Sequence, residues 1–360
     1  MSETTDIRST RSSPAWWEPG SAWHPGGMSG RRALPLSILD LAIIGKGQTA
    51  ADAFANSVLL AQRAEARGYE RVWYAEHHNM ASIASSATSV LIAHIAAHTS
   101  TIRLGAGGVM LPNHSPLTIA EQFGTLATLH PGRIDLGLGR APGSDQNTMR
   151  AMRRDAHSSD RFPEDVLELQ GYLRGESRIP GVIAVPGAGT NVPLYILGSS
   201  LFGAQLAAML GLPYAFASHF APGALIDAVA LYRREFRPSA QLAEPYAIAG
   251  VNVIAADTDD EAQTQWETVR RYRIARFVAP GRDLSDDEAD AILASPQGRQ
   301  IAQMMHYSAV GTPESVKTYL DEFADIAGAD ELITAHASPT IEQRLRSVDL
   351  LADVNDPVRV

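Results

Sequence analysis

The chain has 360 residues, 45% hydrophobic and 19% charged, which is the composition of a globular protein with a large core. A formal net charge of −10 argues against nucleic acid or an anionic membrane as a partner, and no apolar run is long enough for a transmembrane helix. Because no cysteine is present, disulfides, thiolate metal sites and a cysteine nucleophile are excluded. We expect a cytoplasmic protein that acts on a small molecule.

Residues 1–32 are predicted to be an N-terminal extension, rich in serine, proline and glycine. The segment nevertheless holds three of the five tryptophans, Trp16, Trp17 and Trp23. It is either a flexible tail or an arm that packs on a neighbouring subunit, and we favour the arm, because exposed tryptophans are costly. The arginine pair before residue 33 resembles an export signal, but cleavage there would remove the first predicted strand.

From residue 33 to residue 352, strand and helix patterns alternate, and this alternation predicts parallel strands joined by helical crossovers. Eight strands are predicted: Leu34–Leu41, Arg71–Ala75, Ile102–Val109, Arg133–Leu138, Leu194–Gly198, Tyr214–Ser218, Tyr246–Ile254 and Glu331–Thr334. Eight is the number that closes a barrel, so we predict a single-domain (β/α)8 TIM barrel of the α/β class. Two stretches, Ser144–Val192 and Tyr272–Val310, exceed what a minimal barrel needs and are predicted to be long loop insertions that carry part of the substrate pocket.

Three helix starts are indicated by a hydroxyl residue followed by proline, at Ser115, Thr312 and Ser338. The hydroxyl can cap the helix, and proline fits the first helical position because the amide there has no intrahelical partner.

Glu76, His77 and His78 follow the second strand, at the end of the barrel where active sites lie. Neighbouring strand residues point to opposite faces, so only one of the two histidines can face the barrel mouth. An imidazole there can donate or accept a proton near neutral pH. The alternative is a structural histidine at a strand end.

Two glycine-rich junctions follow. Gly107 and Gly108 end the third strand, where they either leave room for a planar ligand or permit an unusual backbone. We expect a bulky side chain at Gly108 to impair ligand binding more than folding. After the fourth strand, Gly137-Leu-Gly139-Arg140 lacks the spacing and the following acidic residue of a dinucleotide fingerprint. Arg140 is predicted to hold a phosphate through its guanidinium, and the alternative is a structural turn.

Gly198, Ser199 and Ser200 lie where the fifth strand passes into a helix. Free amides at a helix start together with two hydroxyls can bind an anion, although hydroxyl capping alone would also explain the serines. The G-x-S-x-G pattern of a serine nucleophile is absent.

No metal site is predicted. His94 and His98 have the spacing of two ligands on one helix face, but Ile95 stands where a zinc protease would have glutamate.

The segments AEHHNM, GAGGVMLPNHSPLTIAEQF, GRIDLGLGRAPG, YILGSSLFGAQLAAMLGLPYAFASHF and VGTPESV together resemble the luciferase-like family of flavin-dependent monooxygenases. The resemblance covers roughly residues 33–350. It implies a barrel enzyme that binds reduced FMN from a separate flavin reductase, forms a peroxyflavin with dioxygen and oxygenates a small organic substrate.

The resemblance also assigns site residues. It implies that His77 is the catalytic histidine beside the flavin, that Gly107 and Gly108 lie beneath the ring, and that His219 lies near it. Arg140, with Gly198, Ser199 and Ser200, would hold the flavin phosphate. Family members can carry a non-proline cis peptide at the Gly107 position, and they commonly form dimers. Gly139 replaces the sulfur-bearing residue of luciferase, so light emission is not inferred.

Two alternatives stay open at this point. The same family includes enzymes that use a deazaflavin coenzyme for hydride transfer, and such a coenzyme would not support peroxyflavin chemistry. The chain could also be a flavin-binding protein without catalytic activity.

Overall fold

In a computed structural model, residues 33–141, 145–279 and 282–355 are described, and eight parallel strands among them close a barrel surrounded by helices. The predicted fold class is confirmed. The nine strands of the described residues are β1 (Leu36–Asp40), β2 (Arg71–Tyr74), β3 (Arg103–Met110), β4 (Ile134–Gly139), β5 (Leu194–Gly198), β6 (Tyr214–Phe216), β7 (Ala247–Ala255), β8 (Ser308–Gly311) and β9 (Glu331–His336). The predicted N-terminal extension lies outside the described residues.

The barrel closes because each strand from β1 to β6 pairs with the next, β6 pairs with β7, β7 with β9, and β9 with β1. All eight predicted strands are found. The strand β8 was not predicted, because it has only four residues and lies within a stretch predicted to be an insertion. It pairs with the carboxyl-terminal half of β7, from Asn252 to Ala255, and so stands outside the closed ring.

Twelve α-helices belong to the described residues: α1 (Ala50–Ala66), α2 (Thr88–Ala96), α3 (Pro116–Leu129), α4 (Gln146–Ala151), α5 (Phe162–Arg174), α6 (Leu201–Leu210), α7 (Leu225–Glu235), α8 (Asp259–Val278), α9 (Asp286–Ala294), α10 (Pro296–Gln303), α11 (Pro313–Ala327) and α12 (Ile341–Asn355). Among them, none is long and apolar enough to cross a membrane. The first predicted insertion contains α4 and α5. The second contains the end of α8 together with α9, α10 and β8.

Two of the three predicted helix starts are confirmed. The helices α3 and α11 begin at the proline that follows Ser115 and Thr312, and the Thr312 hydroxyl accepts a hydrogen bond from an amide of the first turn of α11. The third is wrong by two residues, because α12 begins at Ile341. There the Thr340 hydroxyl accepts from the amide of Gln343 at 3.3 Å, so threonine after the proline takes the capping role.

The barrel interior is filled by large side chains that need small residues opposite them. Trp73 of β2 is fully buried inside the ring, and it packs edge-on against Tyr195 of β5 with 4.9 Å between ring centroids. A Cβ atom on Gly105 would come within 2.8 Å of the Trp73 indole nitrogen, and one on Gly107 would come within 3.0 Å of its Cβ. The glycines of β3 therefore make room for the tryptophan.

A buried charge network lies at the opposite end of the barrel from the mouth. Arg71, the first residue of β2, donates to both carboxylate oxygens of Glu331, the first residue of β9, at 2.9 and 3.0 Å. It also donates to Asp135 and to the Tyr195 hydroxyl, both at 2.8 Å. The guanidinium thus makes four hydrogen bonds, which offset the loss of hydration of a buried cation.

Candidate functional site

The carboxyl ends of the strands form the barrel mouth, and His77 follows β2 there. Its side chain is half-buried, and its Nδ1 atom is buried without a hydrogen-bond partner among the described residues. Burial lowers the pKa of His77 and the Arg276 guanidinium lowers it further, while Glu76 opposes the shift. The imidazole is therefore mainly neutral at pH 7 and can take up a proton, which it can release again afterwards.

The neighbouring His78 faces a different environment, as strand alternation requires. His78 Nε2 lies 2.7 Å from Glu76 Oε1, and His114 Nε2 lies 2.8 Å from the same oxygen. Glu76 Oε2 accepts from the amide of Met110 at 3.0 Å. Burial alone would raise the pKa of Glu76, but the two histidines together lower it. Hydrogen bonding to the carboxylate raises the pKa of His78.

The Glu76, His78 and His114 side chains are the group in the described residues whose ligand atoms lie close enough together to hold a metal ion. A single carboxylate oxygen accepting from two imidazoles already satisfies these atoms. The same residues line a cavity of about 300 Å³ that reaches Val90 on α2 and Gln122 on α3. This cavity lies on the side of β2 that carries His78, away from His77. His94 lies on α2 and His98 in the turn just after it, with 4.5 Å between their rings.

His219 follows β6 and occupies the mouth next to β7. The side-chain amide of Asn252 donates to the backbone oxygen of His219 at 2.9 Å. The His219 ring packs so closely on Gly250 that a Cβ atom on Gly250 would lie 2.4 Å from His219 Nδ1. That Nδ1 is buried and has no partner among the described residues. Burial, together with Arg273 and His77, lowers the pKa of His219 to about 4. This neutral imidazole therefore lies within electrostatic range of His77.

Gly107 and Gly108 are joined by a cis peptide bond, next to the point where the register between β3 and β4 shifts. The expectation that a bulky side chain at Gly108 impairs ligand binding more than folding needs correction. A Cβ atom on Gly108 would lie 2.8 Å from the Gly137 carbonyl oxygen, and this atom belongs to the backbone of β4. A bulky residue at Gly108 would therefore disturb strand pairing first, and it is not a selective probe of ligand binding.

Arg140 follows β4 and is exposed, with its guanidinium stacked 4.1 Å above the Phe202 ring of α6. Ser200 is the N-cap of α6, but its hydroxyl makes no capping bond, so first-turn amides remain open to a ligand. Ser199 and Ser200 are exposed, and Gly198 lies close to Gly203, which brings the strand end against the helix start. The structure thus brings the four predicted phosphate residues to one edge of the mouth.

Two arginines of α8 were not predicted from the sequence. Arg273 has a buried Nη1 atom without a hydrogen-bond partner in the described part of the chain. Burial lowers its pKa to about 10, with a further contribution from Arg276. Arg276 approaches the loop after β2, where its Nη2 lies 2.9 Å from the Met80 sulfur. One signal was available, since four arginines fall within residues 270–276 of an acidic chain.

Comparisons with known proteins agree with this geometry. The family model for luciferase-like monooxygenases matches residues 35–330. A protein of Escherichia coli strain K12 called luciferase-like monooxygenase is 47% identical over 333 residues, which is 90% of this chain and 98% of that protein. The N-acetyl-S-alkylcysteine monooxygenase of Bacillus subtilis is 39% identical over 269 residues, or 72% of this chain and 79% of that protein.

Among solved structures, the crystal structure of apo-MsnO8 superposes with a TM-score of 0.81 at 38% identity, and the match covers 89% of this chain and 98% of that one. The family model covers well over half of this chain, and the identity to the E. coli protein extends over nearly its whole length. The chain therefore belongs to the luciferase-like monooxygenase family.

Proposed function

We propose that this protein is a flavin-dependent monooxygenase that uses reduced FMN, delivered by a separate reductase, and dioxygen to oxygenate a small organic substrate. One observation carries the proposal. The mouth combines a neutral, partly buried imidazole at His77, the side-chain-free backbone of Gly107 and Gly108, and an uncapped helix start beside Arg140.

The residues present fit a phosphorylated flavin. The open amides of α6 and the Arg140 guanidinium offer the donors that a phosphate requires, and the two serine hydroxyls add more. At the end of β2, the buried Nδ1 atom of His77 has no hydrogen-bond partner in the described part of the chain, and a bound ring system would supply one. Family membership supports the same class of cofactor.

Bound reduced FMN would supply the electrons for oxygen activation. The protein would bind the flavin and shield it from water. Arg140 and the α6 amides would bind the flavin phosphate, and the glycine backbone of β3 would leave room for the flavin ring. Its lowered pKa keeps the His77 imidazole neutral near pH 7, so the ring would first accept a proton and could return that same proton in a later step.

An anaerobic titration tests the cofactor directly, with reduced FMN and the reduced deazaflavin coenzyme as the two ligands. We expect reduced FMN to bind more tightly, and oxygen consumption to follow when air is admitted. Tighter binding of the deazaflavin coenzyme with no oxygen consumption would instead make the protein a hydride-transfer enzyme. Binding of FMN without any oxygen consumption would make it a flavin-binding protein.

The name of one relative suggests a class of substrate to test. The B. subtilis protein is named for N-acetyl-S-alkylcysteines, so these compounds are the first to test as substrates here. Sulfur oxygenation would appear as a mass increase of one oxygen atom in the product.

We also propose a homodimer, formed through the helices of the first half of the barrel. Val90 on α2 is 68% exposed and borders the cavity that His78 lines. Val90→Asp should shift a dimer toward monomer in light scattering. A cytoplasmic location, where a reductase supplies reduced flavin, stays a prediction.

A further inference from the structure

The mouth contains a cluster of nitrogen atoms that the flavin phosphate site does not use. Arg273 Nη1, His77 Nδ1 and His219 Nδ1 are all buried and have no hydrogen-bond partner in the described residues. Arg276 lies near them, since its Nη2 is 2.9 Å from the sulfur of Met80 in the loop after β2, and its charge lowers the pKa of both His77 and Arg273. The long helix α8 therefore brings two guanidinium groups over the ends of β2 and β6.

In the described part of the chain, no carboxylate acts on the charge of Arg273 or on His219. The groups that influence Arg273 and His219 are other cationic or basic side chains, namely Arg276, Arg273 and His77. Glu76 acts on His77, but its carboxylate oxygens are taken by His78, His114 and the Met110 amide. Burying guanidinium groups in this way costs stability unless an anion joins them.

Arg271, on the same helix, is an ion-paired arginine with which Arg273 can be compared. Arg271 donates to Asp290 at 2.9 and 2.7 Å and to Asp286 at 3.0 Å, so α9 pairs it completely. Arg273 lies two residues further along and faces the mouth without such a pair. Within one helix, then, Arg271 is paired with α9, whereas Arg273 has a buried nitrogen that no described residue pairs.

We propose that Arg273 and Arg276, with His219 beside them, bind a carboxylate of the organic substrate. The inference rests on the proposed function, since it assumes that a substrate enters the mouth beside the flavin. Two planar guanidinium groups match the geometry of a carboxylate. The cluster has no helix start to add the backbone amides that the Arg140 site offers to a phosphate. The carboxylate would fix the substrate at one end and leave its other end to reach the reacting centre.

Calorimetric titration of the full chain loaded with oxidised FMN tests the proposal. The ligands are N-acetyl-S-methylcysteine, N-acetylglycine and benzoate, each against its own carboxamide, with inorganic phosphate as a further anion. At least one carboxylate should bind 10-fold or more tightly than its amide. Arg273→Met and Arg276→Met should each lower that affinity by about 10- to 100-fold, the loss typical of a charge-assisted hydrogen bond. Arg282→Met removes the same charge from an exposed position and should change nothing.

The proposal is overturned if no carboxylate is preferred to its amide, if phosphate binds best, or if the preference survives in both variants. A merely structural role is excluded by thermal unfolding. Because Arg273 Nη1 is buried without a hydrogen-bond partner among the described residues, Arg273→Met should leave the melting temperature unchanged or raise it, and a large decrease would contradict us. If Arg273→Met instead weakens the binding of reduced FMN, the arginine is a cofactor ligand and the inference fails.

Failure of the proposed function has a different signature. A protein that binds neither reduced FMN nor the deazaflavin coenzyme, yet still discriminates carboxylate from amide through Arg273, would refute the cofactor proposal and leave the anion site standing.

Discussion

The two ends of the barrel treat charge in opposite ways. At the amino-terminal end, Arg71 is buried and meets Glu331, Asp135 and Tyr195 at normal hydrogen-bond distances. At the mouth, Arg273 and His219 are partly buried and have nitrogen atoms that no described residue satisfies. The first arrangement stabilises the fold without any ligand, whereas the second is costly until a ligand arrives. The contrast therefore lies between the paired Arg71 and the unpaired Arg273 Nη1 and His219 Nδ1 of the described residues, and we propose that a ligand at the mouth pairs with the latter.

The largest effect is expected at His77. General acid or base assistance contributes about 10²–10⁴-fold to a rate, so His77→Ala should lose turnover of that order under saturating reduced FMN. Binding of reduced FMN should persist, because the phosphate is held elsewhere. His78→Ala is the matched control and should lose much less turnover, since His78 bonds to Glu76 on the other side of the strand. Equal, small losses in both variants would mean that neither imidazole takes part.

Arg71→Met tests the structural end. The substitution leaves Glu331 buried without a cationic partner among the described residues, while Asp135 keeps its ion pair with Arg103. The loss should lower the free energy of unfolding by about 3–5 kcal/mol. Denaturant unfolding measures this value. Arg234→Met breaks an exposed ion pair with Glu235 and should be nearly neutral. A loss at Arg71 as small as the loss at Arg234 would erase the contrast between the two ends.

Arg140→Ala is expected to have an intermediate effect, confined to the phosphate. Affinity for FMN should fall by roughly 1.5–3 kcal/mol, which is the range for a charge-assisted hydrogen bond. Riboflavin lacks the phosphate, so its affinity should scarcely change, and flavin fluorescence measures both. An equal loss for the two flavins would show that Arg140 acts through its stacking on Phe202 and not through the phosphate.

The regular part of this molecule was accessible from the sequence. Eight strands follow from short apolar runs between turn signals, and alternation of strand and helix determines the parallel order. The strand ends that carry His77, Gly107, Arg140 and Ser199 could be located for the same reason. The residues themselves predicted a proton-transfer histidine and a phosphate site at Arg140, and only the resemblance to a family made that phosphate the phosphate of a flavin.

The insertions could not be predicted in the same way. The helix α8 is polar on most of its surface, so periodicity does not reveal which arginine turns toward the mouth. Which arginine is paired depends on contacts with α9, and the position of α9 is set by tertiary packing. The strand β8 shows the same limit, since four residues carry too little pattern to be distinguished from a loop.

The smallest effect concerns acid stability at the mouth. Burial holds the pKa of His219 near 4, with Arg273 and His77 contributing, while an unfolded chain protonates histidine near 6.5. Between these values the unfolded state binds more protons, so this part of the stability is present above pH 6.5 and is lost as the pH falls toward 4. For a half-buried ring we expect roughly 1 kcal/mol for each pH unit below about 6, short of the ideal slope of about 1.4. His219→Gln should flatten the decline in denaturant unfolding by that amount, whereas His157→Gln, at a position 87% exposed, should keep the slope of the parent protein. If the parent protein and His219→Gln show the same slope, the pKa of His219 is not lowered in the folded state. The contrast between the paired amino-terminal end and the unpaired mouth would then rest on Arg273 alone.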